Sequence, residues 1–543
     1  MFSWDQYFST AAAGLLGLII LILASFQIGR RPRNYPPGPP TLPLLGNIHL
    51  IPGRDPQFQF QKWAQQYGPI YSLILGTKTM IVLSSDIVIK DLLDKRSAIY
   101  SDRPDSYIGQ TLSSGGYRLG FMRYGPLWRM FRKMIHALLN VKISRSYIPY
   151  QMLENKQMMN EMLEQPKEFL KHLRRYSASL TTNIVFGWRS PTFEDPKLMQ
   201  LFNGVAKFTE LNRVGTSALM DFYPVLRWLP DFLSPIKRLA KRNHEVEHAL
   251  YVGHWLDTKT AIRNKTARPC FCVNLAKCQE EEPFSDSQAA YISGTLLEAG
   301  SETTANTLYS FIQAMIVFPE VQAKAQSEID RIVGSSRGPT IDDEKDLQYI
   351  RAIAKEALRW MPTTMLGAFP HAVTQDDEYN GYKIPKGAWI IQNTYGIHMD
   401  ATRHPNPREF NPERYIEDFQ TSSESAANPD GTKRDHFIFG AGRRICPGMH
   451  VADASLFLAI ARLLWGFDIR PVKDVDGKNI IPDTNLYTQG FTVMPLEFQA
   501  DIRPRDEARA EIIRQEWREA EGLLDKETKQ WKDVPQRMPF SVV

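Results

Sequence analysis

Cysteine is scarce in this chain. Four occur in 543 residues, at positions 270, 272, 278 and 446, which is no disulfide framework and fits a reducing compartment. Cys270, Cys272 and Cys278 sit together in a polar stretch, but no fourth ligand stands at zinc-finger spacing, so they read as free thiols in a loop. A one-sided charge is missing as well. Lys plus Arg total 65 and Asp plus Glu 60, a net charge of +5, which gives no sign of nucleic-acid binding. A mildly basic face remains for an acidic partner or anionic lipid. There is no dinucleotide fingerprint and no flavin-domain pattern. Apolar residues, by contrast, make up 43% of the chain, ample for a large core.

Residues 7–28 form an almost charge-free apolar run, and roughly 20 such residues span a bilayer as a helix. Arg30, Arg31 and Arg33 follow at once, against a lone Asp5 in front, which places the N-terminus in the lumen and the body in the cytosol. A cleaved signal peptide would carry its positive charges before the apolar run, not after it. Tyr35-Pro36-Pro37-Gly38-Pro39-Pro40 then reads as a stiff linker holding the body off the membrane.

Along the body, residues 70–75 and 79–83 are short apolar strands broken by Gly76-Thr77, a hairpin. Residues 86–96 read as a helix and 100–125 as a long loop of the kind that carries function. Trp128 and Arg132, four apart, share a helix face. Residues 150–260 are mostly helical, with apolar and aromatic residues (Phe222, Tyr223, Trp228) and two prolines between 212 and 230. Residues 285–318 predict one long helix, with a capping box at Ser285 and Gln288 and a stop at Pro319. Its centre, Ala299-Gly300-Ser301-Glu302-Thr303-Thr304, is small and rich in hydroxyls. Ala299 and Gly300 leave room either for something flat or for a tight helix crossing, and a threonine there bonds back one turn. Glu298 is a second carboxylate that faces a pocket or is tied up in structure. Glu356 and Arg359 share a face of the helix ending at Pro362. Residues 420–436 read as a polar surface excursion and 505–532 as a charged peripheral helix.

The most specific stretch is Phe439-Gly440-Ala441-Gly442-Arg443-Arg444-Ile445-Cys446-Pro447-Gly448, a glycine-rich loop leading into the apolar segment 449–464. Pro447 suits the first helical position, which would put Cys446 just before a helix N-terminus, where a thiolate is favoured. The pattern F-x-x-G-x-R-x-C-x-G resembles the haem-binding loop of the cytochrome P-450 superfamily. Four further motifs follow the family's order: the anchor with its Pro36-Pro37-Gly38-Pro39 hinge, Trp128-x-x-x-Arg132, Ala299-Gly300-x-Glu302-Thr303-Thr304, and Glu356-x-x-Arg359.

The resemblance implies a mainly α fold with small β-sheets (α+β) behind an N-terminal transmembrane helix. Residues 1–29 would be the anchor, 30–42 the hinge, 43–505 the catalytic domain and 506–543 a polar extension. It implies haem b with Cys446 as axial thiolate, which favours O–O cleavage. Trp128, Arg132, Ala299, Gly300, His371, Phe439 and Arg444 would surround the haem, and Glu302 and Thr303 would handle protons for dioxygen. Glu356, Arg359 and Arg414 (of Phe410-Asn411-Pro412-Glu413-Arg414-Tyr415) would brace the cysteine loop. Leu296, Met365, Leu366, Gly490 and Phe491 would line the substrate pocket. Electrons would come from NADPH through a separate cytochrome reductase or through cytochrome b5. The setting would be the endoplasmic reticulum membrane, single-pass, with a lipophilic substrate. Wording such as Glu378-Tyr379-Asn380-Gly381-Tyr382 is similar to membrane-bound fungal members, which often serve secondary metabolism. The same residues permit hydroxylation or epoxidation, and also desaturation or phenol coupling without oxygen insertion. A haem-binding sensor or carrier would have no use for the Glu302–Thr303 pair.

Overall fold

The computed structural model describes residues 27–212 and 216–532. The expected membrane span lies outside them but for its last two positions. In chain order the longer helices are α1 (Pro56–Tyr67), α2 (Pro126–Leu139), α3 (Ile148–Glu164), α4 (Phe169–Phe186), α5 (Pro196–Leu211), α6 (Thr216–Phe222), α7 (Pro235–Arg263), α8 (Phe271–Glu281), α9 (Asp286–Val317), α10 (Pro319–Ile332), α11 (Gln348–Trp360), α12 (Met449–Gly466) and α13 (Glu507–Glu521).

Helix α9 is the axle. Its capping box is reciprocal: the Gln288 amide donates to the Ser285 hydroxyl (3.2 Å) and the Ser285 amide to the Gln288 side chain (2.8 Å). Its 32 residues, at ~1.5 Å each, cross the body over about 48 Å. Helices α4, α7, α11 and α12 pack around it, and the two largest apolar clusters lie along its two halves. Helix α12 is apolar and long enough to cross a membrane, but it is buried in this core.

Strands β1 (Ile70–Leu75), β2 (Lys78–Leu83), β3 (His371–Ala372) and β6 (Trp389–Gln392) form one sheet in the order β1-β2-β6-β3. The β1–β2 hairpin is antiparallel with Ile70 opposite Leu83, and β6 joins β2 in parallel. Two further antiparallel pairs join β4 (Asp377–Tyr379) with β5 (Tyr382–Ile384), a hairpin, and β7 (Phe467–Arg470) with β8 (Asp501–Pro504).

Several expectations are corrected. The proline-rich segment is no free spacer. Proline-rich backbone has carbonyls without partners of their own. Arg31 donates to the Gly38 and Pro39 carbonyls (2.8 and 2.9 Å) and to Ser72 of β1, whose hydroxyl donates to the Pro36 carbonyl (2.6 Å). Cys270 and Cys272 are not loop thiols: both are fully buried at the start of α8, and burial pushes the Cys270 thiol up to about 12. No cluster of three His, Cys, Asp or Glu able to hold a metal ion occurs among the described residues. The 420–436 stretch is polar yet partly buried: Ser422, Ser423, Ser425, Arg434, Asp435 and His436 are covered, and the Ser423 amide and hydroxyl both donate to Asp453 (3.1 and 2.8 Å). Past α13, Gln530 exchanges hydrogen bonds with the Arg189 backbone (2.8 and 2.9 Å) and Trp531 packs on Tyr150, so this charged tail is a seam against α3 and α4.

Candidate active site

Backbone geometry fixes Cys446. Its amide donates to the Phe439 carbonyl (2.8 Å), and the Gly442 amide donates to Asp94 (2.6 Å). Gly442 has φ +64°, and a Cβ there would collide with the Leu93 carbonyl, so only glycine fits. Helix α12 starts at Met449 with Gly448 as its N-cap. Pro447 thus precedes the cap rather than opening the helix, and Cys446 stands two residues ahead of it. Burial pushes the Cys446 thiol up, while the Gly448 amide and the Arg132 charge draw it down.

Behind the loop, Arg359 and Glu356 form a fully buried bidentate pair (2.7 Å on both oxygens), and the Asn411 amide donates to Glu356 (2.8 Å). Arg414 approaches the same carboxylate at 3.5 Å. Arg359 also donates to the His398 and Pro407 carbonyls (3.0 and 2.8 Å). His398, missed in the sequence, joins this network to the cysteine loop. Its Nδ1 meets the Arg359 carbonyl (3.0 Å), and its Nε2 accepts the Phe437 amide (2.8 Å). Burial holds His398 well below the usual histidine range, so it stays neutral and able to accept.

Across from the loop, Ala299 is exposed in the middle of the otherwise buried α9. Thr303 donates back to the Ala299 carbonyl (2.9 Å). Glu302 is largely buried, and burial raises its carboxyl, opposed by Arg174 and reinforced by Glu298. Gly300 does not face this opening. A Cβ there would stand 2.5 Å from the Thr181 hydroxyl of α4, and the Ser177 hydroxyl donates to the Gly300 carbonyl (2.7 Å). Gly300 therefore serves the α4–α9 crossing rather than a cofactor contact. Glu298 is tied up too, by Arg118 and the Tyr251 hydroxyl.

Three arginines gather at the edge of the opening. Arg103 donates to the Gly120, Phe369 and Pro370 carbonyls (2.9, 2.7 and 2.9 Å), and Arg444 to those of Ser101 and Met122 (2.9 and 2.8 Å). Arg132 donates to the Ile445 carbonyl. The Arg444 guanidinium lies 4.0 Å over the Trp128 ring. None of the three makes an ion pair among the described residues. Burial lowers Arg103 to about 9; burial and the Arg103 charge lower Arg444 to about 8. Burial and these two cations hold His371 well below its usual range, its Nδ1 meeting the Tyr100 carbonyl (2.8 Å). Buried positive charge without a carboxylate partner is costly and calls for an anion.

Residues 36–500 match the family model described as Cytochrome P-450. The chain belongs to the cytochrome P-450 family. The cytochrome P-450 monooxygenase virE of Hypocrea virens is 53% identical over 97% of this chain and 95% of its own length. The cytochrome P-450 monooxygenase fogE of Aspergillus ruber is 49% identical over 97% of this chain and 98% of its own. A solved zebra fish cytochrome P-450 with abiraterone superposes with a TM-score of 0.66 at 22% identity, over 83% of this chain and 100% of that one, a likeness of fold. The protein is accordingly a cytochrome P-450 monooxygenase, an oxidoreductase of a family that carries haem-thiolate iron, takes electrons from a redox partner and acts on small molecules.

The residues present fit that cofactor. Cys446, its backbone fixed by the loop, would supply the thiolate, and α9 offers an exposed Ala299 beside the Thr303 hydroxyl. The uncompensated cations at the edge match two carboxylates. Phe439 packs against His436 at the loop (5.2 Å between ring centres) and gives its carbonyl to Cys446. A neighbouring cavity is lined by Met365, Leu366, Gly490 and Phe491, with Phe121 and Asp221. Leu296 does not line it and packs instead against the cluster containing Trp128 and Phe131. Arg103, Arg118 and His398 carried no periodic or motif signal. Each is a single polar residue whose role appears only when distant segments meet.

Proposed function

We propose that this enzyme inserts one oxygen atom from dioxygen into a lipophilic small molecule, by hydroxylation or epoxidation, in fungal secondary-metabolite biosynthesis. The observation that carries the reading is the backbone-directed Cys446 together with the Ala299–Thr303 turn of α9 and the arginines that make no ion pair among the described residues. Cys446 would hold the iron of haem b. Arg103, Arg132 and Arg444, with His371 and Trp128, would hold its carboxylates; Arg414, Arg359 and Glu356 keep the cysteine loop rigid through His398. When bound, the haem supplies the activation of dioxygen and the oxidising power.

The chain supplies the protons and excludes water. Burial keeps a proton on Glu302 at higher pH than a free carboxyl holds one, and Glu302 makes no hydrogen bond among the described residues, so it is free to turn. The Thr303 hydroxyl, anchored on the Ala299 carbonyl, presents its oxygen to the opening. Electrons come from NADPH through a separate reductase. The protein is an endoplasmic reticulum enzyme anchored by residues 7–28 with its body in the cytosol. Exposed Val225, Trp228, Phe232 and Leu233, together with Leu42, Leu44 and Leu45, support contact with that membrane; the Tyr223 hydroxyl donates to the Leu44 carbonyl (2.8 Å) and joins the two segments.

The test is turnover under labelled dioxygen, with microsomes carrying this protein and a reductase, NADPH, and a metabolite extract of the native host. One heavy oxygen gained in a single product is the expected result. Loss of two hydrogens without label would move the reaction to desaturation or coupling.

A further inference from the structure

The cavity beside the site, about 260 Å³, is apolar over most of its wall: Leu75, Met80, Phe121, Phe222, Trp389 and Ile391 all line it. Among the described residues around it, Asp221 is the only one with an ionisable side chain. Asp221 lies in the last turn of α6 and is 5% exposed. Its Oδ1 is occupied, accepting the Tyr107 amide (2.8 Å) and the Arg227 guanidinium (2.9 Å). Its Oδ2 takes no hydrogen bond among the described residues. A covered carboxylate oxygen without a donor is costly, so its place on an apolar wall calls for a partner.

The carboxylate is held in place from three sides. The Thr77 amide and hydroxyl both donate to the Phe222 carbonyl (3.1 and 2.7 Å), which pins the end of α6 to the β1–β2 turn. Arg227 is itself fixed by Asp105 (2.6 Å) and by the Met220 carbonyl (2.9 Å). Burial raises the Asp221 carboxyl to about 6, against the pull of the Tyr107 amide and the Arg227 charge, so it is ionised at neutral pH. Arg227 serves two carboxylates and leaves no surplus positive charge for an acidic ligand. We propose that Asp221 is a specificity-determining residue of this cavity, its Oδ2 accepting a hydrogen bond from a neutral hydroxyl, alcohol or phenol, on an otherwise lipophilic substrate. A ligand without a donor strips water from the carboxylate and returns nothing, and a carboxylic acid brings like charge. The inference deepens the reading of a lipophilic substrate given above and rests on it.

The test uses the full-length haem-loaded enzyme, isothermal titration calorimetry and three probes with the same alkyl chain: octan-1-ol, 1-methoxyoctane and octanoic acid. The parent is expected to bind octan-1-ol roughly tenfold tighter than 1-methoxyoctane, the scale of one hydrogen bond to a charged group, and octanoic acid no better than the ether. Asp221→Asn keeps the shape. Its carbonyl oxygen must stay on the Tyr107 and Arg227 donors, so its amide N–H groups turn to the cavity. This variant is expected to bring alcohol and ether within about twofold of each other and to bind octanoic acid better than the parent does. The readout is the ratio between probes, because a general loosening of the fold would weaken all three alike. A parent that binds alcohol and ether equally, or an unchanged ratio in Asp221→Asn, overturns the assignment. Failure of all three probes to bind overturns the lipophilic cavity and the anchor with it. The ferrous carbon monoxide spectrum tests the haem reading separately. If the parent lacks the thiolate-type red-shifted Soret band, the haem assignment falls; if the band is present and the probe ratio is one, only the role of Asp221 falls.

Discussion

A thiol serves as an iron ligand only when its direction is fixed, and at Cys446 the backbone does the fixing: the Phe439 carbonyl behind, the Gly448 amide ahead, and Gly442 where no Cβ fits. Because the loop is held by backbone, a side-chain change at 446 should alter ligation without dismantling it. Cys446→Ser is expected to lose the red-shifted Soret band of the reduced carbon monoxide complex while far-UV circular dichroism stays at the parent level; a persisting band would mean another ligand. Thr303 shows the second residue-scale effect. Its hydroxyl is anchored one turn back on the Ala299 carbonyl (2.9 Å), so its oxygen is fixed in space. Thr303→Ala is expected to leave NADPH consumption near the parent rate and to send most of it to peroxide or water. Product per NADPH equal to the parent would remove Thr303 from proton handling.

At the scale of elements, α9 divides its central turn between two tasks. Ala299 and Thr303 look to the opening, while Gly300 lets α4 approach closely enough for Ser177 and Thr181 to touch its backbone. A methyl group at 300 must displace the Thr181 side chain, whose Oγ1 and Cγ2 would lie 2.5 and 2.8 Å away. Gly300→Ala is expected to cost about 1–3 kcal/mol, the usual range for overpacking. Thr181→Ala removes both clashing atoms and leaves Cβ at 3.3 Å, so the double variant should recover most of that loss. Additive losses in a denaturation cycle would show that the crossing is not what Gly300 is for.

For the whole molecule, burial of histidine sets a limit on acid tolerance. His254 of α7 packs between Phe186 and Trp188 (ring centres 5.2 and 5.6 Å away), and burial, helped by the Lys197 charge, lowers it to about 4. Its folded pKa lies below the ordinary 6.5, so its stability contribution is intact above that value and is lost as pH falls toward about 4. By pH 5 the loss from this one residue is roughly 2 kcal/mol. His254→Phe is expected to flatten the fall of the denaturation midpoint between pH 7 and pH 5 relative to the parent. Parallel pH profiles for the two proteins would place the histidine in solvent.

Signals that are local in the chain were legible without a fold. The cysteine loop announces itself through glycines at fixed spacing, and α9 through its capping box, its length and Pro319, because turn chemistry and helix ends depend on neighbouring residues. The Glu356–Arg359 pair was visible for the same reason, one turn of one helix. Facing and partnership were not legible. Whether Gly300 looks to a cofactor or to Thr181 depends on where α4 lies, and Glu298 is structural only because Arg118 arrives from a distant loop. Cys270 and Cys272 lie in a polar stretch yet end fully buried, since neighbouring helices cover them. The sequence by itself determined the family, the thiol and the central helix. Only the tertiary structure decided which side chains meet at the site, because burial and charge pairing are properties of segments brought together from opposite parts of the chain.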